Sequence, residues 1–86
     1  MRIRIVVTGR SYHTADGLPD QIDLPDGSTV DDALRVLAGR LRAEESFPAS
    51  CLIAVAGEHV GTIASHHNKL LQSGDELLLI APVAGG

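Results

Sequence analysis

The residues best placed to do chemistry lie at the end of the chain, where Pro82, Val83, Ala84, Gly85 and Gly86 follow the apolar run Leu77-Leu78-Leu79-Ile80-Ala81. A strand that feeds a terminus without side chains presents the α-carboxylate itself as the reacting group. With an ordinary pKa of about 3.3 to 3.7, that group is anionic at neutral pH. It can act as a nucleophile once a partner supplies positive charge and alignment. Gly85 and Gly86 keep the tail narrow and free to extend into a confined site, whereas Pro82 stiffens its base and marks the exit from the strand. Taken alone, Gly85-Gly86 would read as a frayed terminus; the pattern in front of it makes it a reactive tail.

Other candidate groups are weaker. His13, His59, His66 and His67 carry imidazoles suited to transition metals, but they form neither a compact Cys/His cluster nor a metalloprotease spacing. They are expected to be solvated loop side chains, with no metal site. Cys51, beside Leu52 and Ile53, reads as a buried core thiol rather than a persulfide carrier. Gly9-Arg10-Ser11 lacks the Walker spacing and the terminal Lys-Ser/Thr that would position Mg-ATP. Scattered Asp and His residues define no hydrolase constellation. The chain is therefore expected to have no bound cofactor and no activity alone, and any ATP is expected to belong to a partner.

Composition narrows the classes further. The chain has 86 residues, enough for a single modest core and too few for a deep substrate cavity. Hydrophobic residues make up 44%, with one Phe, one Tyr and no Trp, so the core is expected to be aliphatic. The formal net charge of -4 gives no attractive field for a phosphate backbone, which argues against nucleic acid as a partner. Cys51 is the only cysteine, and no secretory or membrane-spanning apolar segment is present. A cytoplasmic protein without a membrane partner is the expectation.

The elements that must position the tail follow from local pattern. Residues 2–8 alternate basic and apolar side chains and then become β-branched, which predicts a strand with Ile3 and Ile5 on a buried face. A second short strand is expected over residues 21–25, ended by the turn Pro25-Asp26-Gly27. Thr29 is placed to cap a helix starting at Val30, with Asp32 in the acidic position of a capping box. Val30, Ala33, Leu34, Leu37 and Leu41 then recur at helical spacing, and residues 46–48 are the expected stopping region. Gly39 inside that helix suggests close approach to a strand. Apolar residues 51–56 and the segment 60–63 predict two strands joined by a tight turn at Gly57-Glu58. A turn at residues 72–75 leads into the last strand, residues 76–81.

The expected order is β-β-α-β-β-β, with one helix laid across a mixed or antiparallel sheet. Both faces of the last strand are apolar, although a sheet covered by one helix leaves its other face wet. That makes Leu78 and Ile80 candidates for a partner-facing patch, extended by Val83 and Ala84.

Three segments stand in the order found in one family: Leu24-Pro25-Asp26-Gly27-Ser28-Thr29-Val30, Gly74-Asp75-Glu76-Leu77 and Ala81-Pro82-Val83-Ala84-Gly85-Gly86. Over nearly its whole length the chain resembles the MoaD/ThiS sulfur carriers, and most closely the small subunit of molybdopterin synthase. The resemblance implies an α+β, β-grasp (ubiquitin-like) fold, a mixed sheet of about four to five strands on one main helix. It divides the chain into a β-grasp domain, residues 1–81, and a reactive tail, residues 82–86. It implies that an E1-like adenylating enzyme of the MoeB/ThiF type uses ATP to activate Gly86, and that sulfur then replaces the adenylate to give a C-terminal thiocarboxylate. Pro82, Val83, Ala84 and Gly85 would guide the tail into a large synthase subunit of the MoaE type, where the sulfur serves molybdenum cofactor synthesis. Carriers for thiamin, cysteine or other small-molecule pathways, and ubiquitin-like modifiers conjugated through Gly86, share the same ending. Ala81 stands where molybdopterin-pathway members often have a proline, and Ala56-Gly57-Glu58 occupies a turn where an Asn is common.

Overall fold

Alternation of side chains along residues 2–8 lays the first strand over the core. In the computed structural model, which describes residues 1–8, 18–41 and 47–80, β1 (Arg2–Thr8) buries Ile3 and Ile5. It pairs antiparallel with the short strand β2 (Gln21–Asp23), Ile3 facing Ile22. Leu24 continues the buried side beyond β2, and its N–H and C=O are held by Met1.

The Pro25-Asp26-Gly27 turn then delivers the chain to the helix α1 (Val30–Ala38). Thr29 is the N-cap, and its N–H and hydroxyl both donate to the Asp32 carboxylate, at 2.9 and 3.2 Å. The Thr29 N–H holds the Asp32 carboxyl below its ordinary value; partial burial opposes this, and the Thr29 hydroxyl and Arg35 add to the lowering. Stabilisation from this cap is therefore present above the ordinary value of 3.8 and is lost as pH falls through the folded one. Val30, Ala33 and Leu37 are fully buried, and Leu34 and Leu41 lie half-buried beside them.

The helix is shorter than its apolar periodicity suggests. It ends at Ala38, with Gly39 as C-cap, and the next amides bond three residues back, Arg40 N–H to Leu37 and Leu41 N–H to Ala38. A Cβ at Gly39 would meet only carbonyl oxygens of Arg35 and Val36, so no neighbouring strand approaches it closely. Arg42 and Ser46, within the expected continuation, lie outside the described residues.

β3 (Leu52–Val55) and β4 (Glu58–Thr62) form an antiparallel hairpin. Its turn is Ala56-Gly57, with φ of +50° and +83°, the signs that a two-residue type I′ turn demands. Pairing resumes at once at Glu58, which is why β4 starts two residues before the expected Val60. The last strand, β5 (Glu76–Ile80), runs parallel to β1 and antiparallel to β3. The five-stranded sheet has the order β2-β1-β5-β3-β4, with the order of elements along the chain as expected. One face meets α1; Ile53, Val55, Leu77 and Leu79 join the helix face in an aliphatic core without measurable exposure.

Two stability measurements test this arrangement. Truncating Leu37→Ala should lower unfolding free energy by about 2 to 5 kcal/mol in denaturant titrations, through lost burial and a residual cavity. Replacing Ala56→Asn should raise it by about 1 kcal/mol, because Ala is strained at positive φ where Asn is tolerated.

Candidate functional site

The register of β5 decides what surrounds the exit of the tail. Because β5 lies between β1 and β3, the chain leaves β5 from the middle of the sheet at Ile80, which is paired with Thr8 on one side and Leu52 on the other. Pro82, Val83, Ala84, Gly85 and Gly86, the expected guiding and reacting residues, lie outside the described residues, as does Ala81.

Alternation sends Leu77 and Leu79 into the core and turns Leu78 and Ile80 to the face away from the helix, where both are half-buried. Their cross-strand neighbours share that face. Leu78 sits between Val6 and Ala54, and Ile80 between Thr8 and Leu52. Val6 and Leu52 are 39% and 37% exposed, large values for aliphatic side chains at the centre of a sheet. The result is a contiguous apolar patch next to the tail exit, built from Val6, Leu52, Ala54, Leu78 and Ile80. Leu78 and Ile80 were legible as candidates from the two-faced last strand; Val6, Leu52 and Ala54 were not, because only cross-strand register brings them alongside.

The far end of the same face is polar. Arg2 pairs with Asp23 at 3.1 Å and Arg4 with Glu76 at 2.7 Å, both on the surface. Going along β1 from Arg2 to Thr8, the outer face changes from ion pairs to apolar side chains as it nears the tail.

Cys51 lies at that same end of the sheet but in the core that the helix covers, fully buried. Burial pushes its thiol up from the ordinary value, against a smaller pull from the Ile80 backbone. It is held as a neutral core thiol, as its apolar neighbours suggested. The expectation of solvated histidines holds for His59 and His67 and fails for His66, whose side chain is only 10% exposed. Its imidazole is clamped between the Thr62 carbonyl and Asp31, a partnership across 35 positions that local sequence does not reveal. His13 lies outside the described residues. Among those residues, no group of three or more His, Cys, Asp or Glu side chains gathers as a metal site, and no helix is long and apolar enough to cross a membrane.

A central last strand, one covering helix and an apolar outer patch at the exit of a Gly-Gly tail are joined by a match of residues 5–86 to the ThiS family. The chain belongs to this family. The ThiS family is one of sulfur carriers, and its match extends through the terminal glycines. The chain is 27% identical over 86 residues to the molybdopterin synthase sulfur carrier subunit of Chlamydomonas reinhardtii, with the whole of both chains covered. Among solved structures it is similar to the crystal structure of SAMP1 from Haloferax volcanii, with a TM-score of 0.69 at 21% identity over all of both chains. It is also similar to the solution structure of the Haloferax volcanii HVO 2177 protein, with a TM-score of 0.56 at 22% identity over all of this chain and 87% of the other. These likenesses establish the ubiquitin-like β-grasp fold that the sequence suggested.

The two faces of the sheet in this ThiS-family carrier should respond oppositely to charge. Leu52→Asp should lower unfolding free energy by only about 1 kcal/mol and leave unfolding cooperative, since Leu52 lies on the outer face, 37% exposed. Leu79→Asp should abolish cooperative unfolding by circular dichroism, because a carboxylate would enter the core unpaired.

Proposed function

We propose that this chain is a sulfur carrier that acts through a thiocarboxylate on Gly86 and donates sulfur in molybdopterin synthesis. The observation that carries the reading is the family match running through residue 86, which takes the Pro82 to Gly86 ending as part of the family pattern. The Chlamydomonas reinhardtii relative, named as a molybdopterin synthase sulfur carrier subunit, supports this branch.

In the proposed sequence, an E1-like partner binds ATP and aligns the Gly86 carboxylate with the α-phosphorus. A carboxylate oxygen forms the new P–O bond, and pyrophosphate leaves. A sulfur nucleophile at the oxidation level of sulfide then adds to the acyl carbon and expels AMP, leaving the thiocarboxylate. Neither step calls for a general base from the carrier, because the attacking carboxylate is already ionised. The carrier contributes a thin, extendable tip on a stiffened base, and an apolar patch that orients it against a partner. A large synthase subunit would receive the tail and supply the catalytic pocket, with Leu78, Ile80, Val6 and Leu52 at the contact. ATP would be bound by the activating partner, in the cytoplasm.

Intact-mass and fragmentation analysis of the chain recovered from its native cell tests the chemistry. The expected result is a gain of about 16 Da, oxygen exchanged for sulfur, confined to Gly86. An unmodified Gly86 in an active assembly would overturn the thiocarboxylate, and a lysine isopeptide through Gly86 would instead make the chain a protein modifier. In purified activation assays, Gly86→Ala should slow adenylation at least tenfold while leaving folding unchanged, since the added methyl would sit beside the reacting carboxyl.

A further inference from the structure

His66 is the one histidine among the described residues that the fold encloses, and both of its ring nitrogens face acceptors. Nδ1 lies 2.7 Å from the Thr62 carbonyl oxygen and Nε2 lies 2.7 Å from Asp31 Oδ1. A carbonyl oxygen only accepts, so Nδ1 must carry a proton. A neutral imidazole has a single N–H, which would leave the Nε2 lone pair pointed at a carboxylate that also offers only lone pairs. The arrangement is satisfied by imidazolium, with an N–H at each end and an opposite charge at one of them.

The contact joins two parts of the molecule. Asp31 is in the first turn of α1, and His66 is in the segment that connects β4 to β5. That connector folds back along β4, donating from His67 N–H to Val60 O at 2.9 Å and accepting at Ser65 O from Thr62 N–H at 2.8 Å. It passes so close to Gly61 that a Cβ there would stand 2.6 Å from His66 Cα. Two backbone groups on the open edge of β4, Val60 O and Thr62 N–H, are thus occupied by a segment that His66 pins to the helix.

We propose that His66 is a proton-operated latch: in its imidazolium form it ties the β4–β5 connector to the first turn of α1, and its deprotonation frees the connector and uncovers the β4 edge. The charged or titratable groups on the packed elements are Asp31, Asp32 and Arg35 of α1, Glu58 and His59 of β4, and His67 and Lys69 of the connector. Asp32 is paired with Arg35 and Glu58 with Lys69, whereas Asp31 is hydrogen-bonded to the ring. Burial presses the His66 pKa down, but the Asp31 hydrogen bond, the Thr62 carbonyl and the Asp31 charge outweigh it and raise it above 6.5. The latch is therefore fully closed below the ordinary histidine value and is lost as pH rises through the folded one. Release is local, because Val30 N–H still donates to Lys69 O at 3.0 Å and Asp31 N–H to Asn68 Oδ1 at 2.8 Å.

Histidine ring NMR titration of the full chain between about pH 5 and 9, paired with amide hydrogen exchange, tests the latch. His66 is expected to titrate above the ordinary histidine value of 6.5. Protection of the Thr62 and His67 amides, corrected for intrinsic exchange, should fall at least threefold across that midpoint. Asp31→Asn, a change at an exposed side chain, should lower the His66 midpoint, and His66→Gln should make the protection independent of pH. A His66 midpoint at or below 6.5, or one unmoved by Asp31→Asn, would overturn the proposal. So would protection that stays level across the midpoint. Should His66→Gln fail to fold, the Asp31→Asn titration decides alone.

Discussion

The burial of Leu77 and Leu79 in the middle strand is the constraint on which the rest depends. Both are sealed by α1 above and by β1 and β3 on either side, with no measurable exposure. Removing side chains of this size from water contributes about 1.5 to 3 kcal/mol each. Because side chains alternate, fixing these two also fixes Leu78 and Ile80 on the opposite face and sets where the tail leaves. A slip of one residue would send Glu76 and Leu78 inward and expose the core pair. Core stability and presentation of the outer patch therefore share one register, and the chain cannot alter one without the other.

The parallel pairing of β1 with β5 closes the fold by joining its first and last strands. Antiparallel neighbours need only a turn, but parallel ones need a crossover, and here everything from β2 to β4 serves as that connection. The outer surface inherits a gradient from the same pairing. At the start of β1 and β5, Arg4 meets Glu76; two residues on, Val6 meets Leu78. Exposed ion pairs such as Arg4–Glu76 are worth about 0.2 to 1 kcal/mol and do little for stability. Their effect is to confine the apolar surface to the end from which the tail emerges.

Legibility in the sequence followed the range of the interactions. Ile3 and Ile5, the Thr29–Asp32 cap and the turn at residues 72–75 are specified within a few residues, and each was readable. The helix end is hidden because Leu41 continues the apolar period, while the bonding tightens at Arg40 and Leu41 and the helix ends first. The start of β4 was displaced because the turn depends on Ala56 taking a positive φ, which its identity does not announce. The outer patch was half visible: a doubly apolar last strand implied it, but only register adds Val6 and Leu52. His66 was invisible as a buried group, since its partner Asp31 is remote in sequence and each looks like an ordinary surface residue.

An apolar sheet face on a small domain invites self-association, yet strand edges invite it more strongly, because unpaired N–H and C=O groups accept any extended chain. The two edges here are managed differently. β2 is only three residues long, which offers too short a ladder for another strand. β4 is longer, but a register shift interrupts its pairing and the connector at residues 65–67 takes up Val60 O and Thr62 N–H on its outer side. With the edges blunted, the outer face offers side chains rather than unpaired backbone to its surroundings. A face of Val6, Leu52, Ala54, Leu78 and Ile80 can discriminate by shape among partners, whereas an open edge cannot. A partner seated there, as proposed, would also hold Ile80, so recognition through the patch and placement of the tail would be one event. That makes the edge covering as much a part of the carrier's design as the patch itself.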